Sequence, residues 1–98
     1  MEKVAVVYWT ETGKAALKSV YEFHSEYSEI SAEIIVNEIV DKADSIIFGK
    51  QYQVDEINPK YRRLIVRDYK ILYNETNSVI EIMDVICTLQ SPEILKRK

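Results

Sequence analysis

The sequence predicts an α+β fold with the element order β-α-α-β-β-β-β. Three observations carry it: a β-branched and aromatic run near the N-terminus, two consecutive stretches with apolar residues at helical spacing, and a second half in which apolar and polar residues alternate between short polar turns. The expected architecture is an N-terminal strand and a helical hairpin packed on a small, mainly antiparallel sheet. At 98 residues the chain reads as a single domain, 1–98. Its 47% hydrophobic and 30% charged content exclude wholesale disorder.

Lys3 to Trp9 (KVAVVYW) is too short for a helix and reads as a strand. Thr10 follows as an N-cap, and Leu17, Val20, Tyr21 and His24 then recur on one helical face. HSEYS interrupts that pattern. Ser28 is a second N-cap with Glu29 in the first turn, and Ala32, Ile35, Val36, Ile39, Ala43, Ile46 and Ile47 trace the next apolar stripe. Gly49 is the expected helix stop. Tyr52 and Val54 alternate with Gln51, Gln53 and Asp55, a short strand before the Asn58-Pro59 punctuation. Tyr61–Val66 and Tyr69–Asn74 form a hairpin if Arg67-Asp68 is its loop. That register places Leu64, Val66, Tyr69, Ile71 and Tyr73 on the core face, and Arg63, Ile65, Lys70 and Leu72 on the opposite, accessible face. After the polar loop Glu75–Ser78, Val79 to Cys87 is a last apolar strand, and Pro92 begins a charged tail.

One cysteine, Cys87, excludes an internal disulfide. The apolar run of MEKVAVVYW is too short for a signal peptide, and no stretch is long enough to span a bilayer, so a cytoplasmic protein without membrane association is expected. Net charge is -3, but residues 1–48 carry four Lys against nine acids and residues 49–98 carry nine basic residues against seven acids. Lys60, Arg62, Arg63, Arg67 and Lys70 crowd one hairpin. Three readings compete for that face: a solvated sheet surface, a site for an acidic protein partner, or a site for RNA phosphates. Ile65 and Leu72 between the cations favour a partner bringing both acidic and apolar groups, since phosphate has no use for the latter.

Other chemistry-bearing residues have quieter readings. His24 on the apolar stripe is a hydrogen-bonded core histidine rather than a general base, and with no second ligand nearby no metal site is expected. Cys87 is a small buried hydrophobe, and Asp84 pairs with a sheet cation. Gly13 and Gly49 are too few for a phosphate loop, so no cofactor is expected.

YRRLIVRDYKILY followed by VIEIMDVICTLQSPEIL resembles the RelE/ParE superfamily of bacterial type II toxin–antitoxin toxins, in its plasmid-stabilisation branch. The matching strings are R-x-L-x-V at Arg62, Leu64 and Val66; Y-x-I-x-Y at Tyr69, Ile71 and Tyr73; and I-x-D-V at Ile82, Asp84 and Val85. The resemblance implies a toxin neutralised by a cognate antitoxin whose C-terminal segment wraps the sheet and helices. Arg63, Ile65, Arg67, Lys70 and Leu72 are the expected partner-binding residues, meeting an acidic and aliphatic segment. In the mRNA-cleaving branch, Arg63 and Lys70 match cationic hairpin positions and are the candidate catalytic residues. However, Thr88 stands where a basic residue is expected, and no Tyr, His or Arg occurs from Cys87 through Leu95. Cleavage needs a base and an acid as well as cations. The resemblance points to a ParE-like toxin that binds a target such as DNA gyrase and leaves the enzyme question open; the alternatives are a ribosome-dependent mRNA endoribonuclease or an inactive antitoxin-binding relative.

Overall fold

The computed structural model describes residues 5–89. Lys3 and Val4 of the expected first strand and the charged tail from Pro92 lie outside the described residues. The elements are β1 (Val6–Trp9), α1 (Glu11–Ser25), α2 (Glu29–Asp44), β2 (Arg62–Val66), β3 (Tyr69–Thr76) and β4 (Val79–Cys87), with a 3-10 turn at Gly49–Gln51. The sheet runs β1-β4-β3-β2, with β1 parallel to β4 and the other pairs antiparallel. The α+β class and its helical hairpin on a small sheet are as the sequence predicts.

Both helix starts are set by hydroxyl caps. Thr10 accepts from the Gly13 amide at 3.1 Å, and Ser28 accepts from the Ser31 amide at 3.2 Å. Thr10 also donates its hydroxyl proton to the Ile82 carbonyl at 2.7 Å, which ties the first turn of α1 to β4. At this crossing the backbones nearly touch: a Cβ built on Gly13 would lie 2.4 Å from the Ile82 carbonyl oxygen. Glycine is required there for close approach.

The hairpin register is the predicted one, with Leu64 opposite Ile71, Val66 opposite Tyr69 and Arg62 opposite Tyr73. Arg67 takes the left-handed conformation at the turn (φ 54°). The second turn is tighter than the expected loop, because β3 continues to Thr76 and only Asn77 and Ser78, both at positive φ, make the reversal. Consecutive positive φ values give the mirror-image turn whose twist matches that of the strands. Leu72 pairs with Asp84 while Tyr73 pairs with Ile82, so Met83 is an extra residue in β4 and bends the strand. Ile39, Ile46, Ile71, Tyr73, Ile80 and Ile82 form the fully buried centre between helices and sheet.

Two expectations are corrected. Gly49 does not stop α2, which ends at Asp44 with Ser45 donating its amide and hydroxyl protons back to the Lys42 carbonyl. This closes the last turn tightly and leaves Ile46 buried but Ile47 about half exposed. Gly49 instead serves a close approach to Glu75, whose Cβ would lie 2.8 Å from a Gly49 Cβ. The strand expected around Tyr52 and Val54 is a single antiparallel bridge, Val54 with Arg62, flanked by Arg63 N–H to Gln53 O and Asp55 N–H to Tyr61 O. The chain then loops back across the outer face of the sheet.

Candidate functional site

That loop decides what the hairpin face offers. Its Ile57 and Tyr61 pack on Leu72 and Ile86, making a second small apolar cluster on the sheet face away from the helices. Leu72 is 0% exposed and Lys70 5%, so the accessible face expected for them is covered. The reason is electrostatic as well as apolar. Lys70 Nζ donates to Asp55 Oδ1 at 2.7 Å, and the other carboxylate oxygen accepts from the Asn58 and Ile57 amides at 2.7 and 3.1 Å. An apolar lid alone would strand a lysine charge, which is costly; a lid carrying an aspartate does not.

The remaining cations have separate fates. Arg63 keeps a fifth of its side chain exposed and lies 3.8 Å from both Asp55 and Glu56. Arg67 is half exposed and paired with Glu38 of α2. Arg62 donates to the Tyr52 carbonyl at 2.8 Å. Lys60 lies 5.3 Å over the Tyr61 ring. Ile65 is 46% exposed. Of the five expected partner-binding residues, Arg63, Ile65 and Arg67 thus reach solvent, and Lys70 and Leu72 do not. The charge nearest Lys70 is the Asp55 carboxylate, so it does not face a vacant anion site.

Burial pushes the Asp55 carboxyl up, but the Lys70 hydrogen bond, the Asn58 and Ile57 amides and the Lys70 charge together hold it below its ordinary value of 3.8. A carboxyl depressed in the folded state stabilises it above the unfolded pKa, and the contribution is lost as pH falls through the folded value. Urea melts taken from about pH 5 down to about pH 2 should therefore show the stability gap between wild type and Asp55→Asn narrowing as pH falls from the ordinary carboxylate value through the lower folded one. A gap that stays constant would show that the ionised carboxylate contributes nothing.

His24 is hydrogen-bonded as expected, its Nε2 lying 2.7 Å from the Tyr69 hydroxyl. Burial, then the Cys87 and Asp68 charges, raises the Tyr69 hydroxyl above 10.0, so it stays protonated and neutral. A cleft of about 350 Å³ opens nearby between Ala16, Val20 and Phe23 of α1 and Val85 and Cys87 of β4. Cys87 is half-buried at its wall. Asp84 accepts the Val85 amide proton at 2.8 Å, covering the edge of β4 where β1 has already ended. Among the described residues, no cluster of three or more His, Cys, Asp or Glu is placed to hold a metal, and no helix is long and apolar enough to cross a membrane.

Sequence reasoning missed Asp55, Ile57 and Tyr61. The available signal was an acid and an aliphatic two residues apart, running from the end of the expected short strand into the Asn58-Pro59 punctuation.

No protein-family model matches the sequence, and no curated protein matches it. Among solved structures, a chain of the chromosomal ParDE TA system from P. aeruginosa is similar, with a TM-score of 0.72 at 15% identity, covering 86% of this chain and 96% of that chain. One strand, a helical hairpin and a three-strand antiparallel meander thus assemble here into the α+β fold that this ParDE-system chain also has.

Proposed function

We propose that this chain is the toxin subunit of a type II toxin–antitoxin pair, neutralised by a cognate antitoxin and acting by binding a cellular protein such as DNA gyrase. The observation that carries this reading is the fold shared with a chain of a ParDE system over most of both lengths. The antitoxin surface is the β2 edge with Arg63, Ile65 and Arg67. The Arg63 amide donates outward to Gln53 and not to β3, so by strand alternation the Ile65 backbone groups also face outward. An acidic and aliphatic segment laid there adds a strand, meets two arginines and covers Ile65. A nuclease role is disfavoured because Lys70, one of its two candidate cations, is already paired with the Asp55 carboxylate and its surroundings are partly apolar, which suits a peptide better than phosphate.

Inducing the protein in a bacterium and following thymidine and methionine incorporation tests the reading. DNA synthesis is expected to stop before translation. Translation stopping first, with codon-specific mRNA cuts on programmed ribosomes, would promote the ribonuclease reading. Unimpaired growth would leave only an inactive antitoxin-binding relative.

A further inference from the structure

The loop from Asp55 to Tyr61 behaves chemically as a ligand that happens to be covalently attached. It presents an acid at Asp55 and an aliphatic side chain two residues on at Ile57, which seat on Lys70 and on Leu72 with Ile86. Its two ends are tied to each other by Asp55 N–H to Tyr61 O at 2.9 Å and by the Val54–Arg62 bridge. A segment closed at its own base lifts as a unit without unravelling the sheet below it.

Its fit is also incomplete. Beneath it lies a cavity of about 100 Å³ lined by Asp55, Glu56, Ile57, Arg63 and Lys70. Arg63 Nε is buried there without a hydrogen-bond partner, 3.8 Å from Asp55 Oδ1. Asp55 is committed to Lys70 and two backbone amides, so Arg63 is left half served. A buried donor in this state favours any competitor that supplies a second acceptor.

We propose, resting on the toxin reading above, that the Asp55–Tyr61 loop is an internal stand-in for the antitoxin. It occupies the Lys70, Arg63, Leu72 and Ile86 surface until an antitoxin segment reading acid-x-aliphatic displaces it. The occupant is an extended acidic peptide, because the surface pairs two cations with an apolar floor. Such exchange makes the antitoxin's hold on this face a competition between two segments of similar chemistry, one tethered and one free.

The probe is a fluorescein-labelled peptide copying the loop itself, VDEINPKY, added to the full chain. Wild type should bind it weakly. The Asp55→Ser/Ile57→Ser variant, whose own loop no longer fills the site, should bind about tenfold or more tightly, with salt sensitivity and with loss on adding Lys70→Gln. Equal affinity for wild type and folded variant overturns the proposal, as does a variant that binds a short RNA oligonucleotide but not the peptide. Hydrogen exchange on wild type decides the matter if the variant does not fold. The Ile57 and Asn58 amides should then exchange about a hundredfold or more faster than the Ile71 amide inside the sheet, and equal protection overturns the proposal. Neither measurement depends on toxicity, so failure of the growth assay is distinguishable from failure here.

Discussion

Gly13→Ala is expected to lower stability by about 2 kcal/mol, although alanine is the better helix former by up to about 1 kcal/mol. The opposing effect is larger because the added carbon meets backbone. The Ile82 carbonyl oxygen 2.4 Å from the Cβ position sits in the β1–β4 ladder and cannot swing aside as a side chain would. It also accepts from the Thr10 hydroxyl and amide. Moving α1 away would stretch both bonds, and a typical intramolecular hydrogen bond contributes about 0.5–1.5 kcal/mol on its own. For a domain of this size each kcal/mol shifts Tm by about 4–8 °C, so thermal melts resolve the sign. An alanine variant that melts at or above wild type would show that α1 and β4 are less closely apposed than described.

Tyr73→Phe should cost about 1–3 kcal/mol, while leaving the packing of the ring unchanged. Tyr73 is fully buried, and its hydroxyl donates to the Gly49 carbonyl at 2.9 Å and accepts the Tyr52 amide proton at 3.3 Å. Burial raises this hydroxyl above 10.0, with the Tyr52 bond and the Arg62 charge pulling the other way, so it remains a donor at ordinary pH. Phenylalanine strands a carbonyl and an amide just where the 3-10 turn leads the chain from α2 toward the loop over Lys70. Denaturant melts give the size of the loss, and faster exchange at the Tyr52 amide gives its location. A change below about 0.5 kcal/mol would mean that water replaces the hydroxyl.

How much of this was legible beforehand depended on range. Thr10 and Ser28 announce helix starts because a cap acts within three residues. Leu64 against Ile71 follows from alternation around a two-residue turn, and it was read correctly from the strings alone. Gly49 was misread because glycine near a helix end usually signals a left-handed cap, whereas here it makes room for Glu75 from a distant strand. Lys70 and Leu72 were placed on the right face of the sheet but given the wrong environment. Nothing within β2 or β3 reveals that a loop fifteen residues before Lys70 folds over it. The carboxylate that the basic face called for was in the chain itself, at Asp55.

Val6 pairs with Val79 and Trp9 with Ile82, so the first strand waits for the last. During synthesis the helical hairpin leaves the ribosome well before β4 exists, with Ile39, Ala43 and Val20 having no sheet to cover. The β2–β4 meander forms quickly from neighbouring residues, but joining it to β1 closes a loop of roughly seventy residues, the slow kind of contact. Until that closure the apolar sides of both helices are open to capture by another protein, and a binder present at the moment of translation meets a chain that the finished molecule no longer displays.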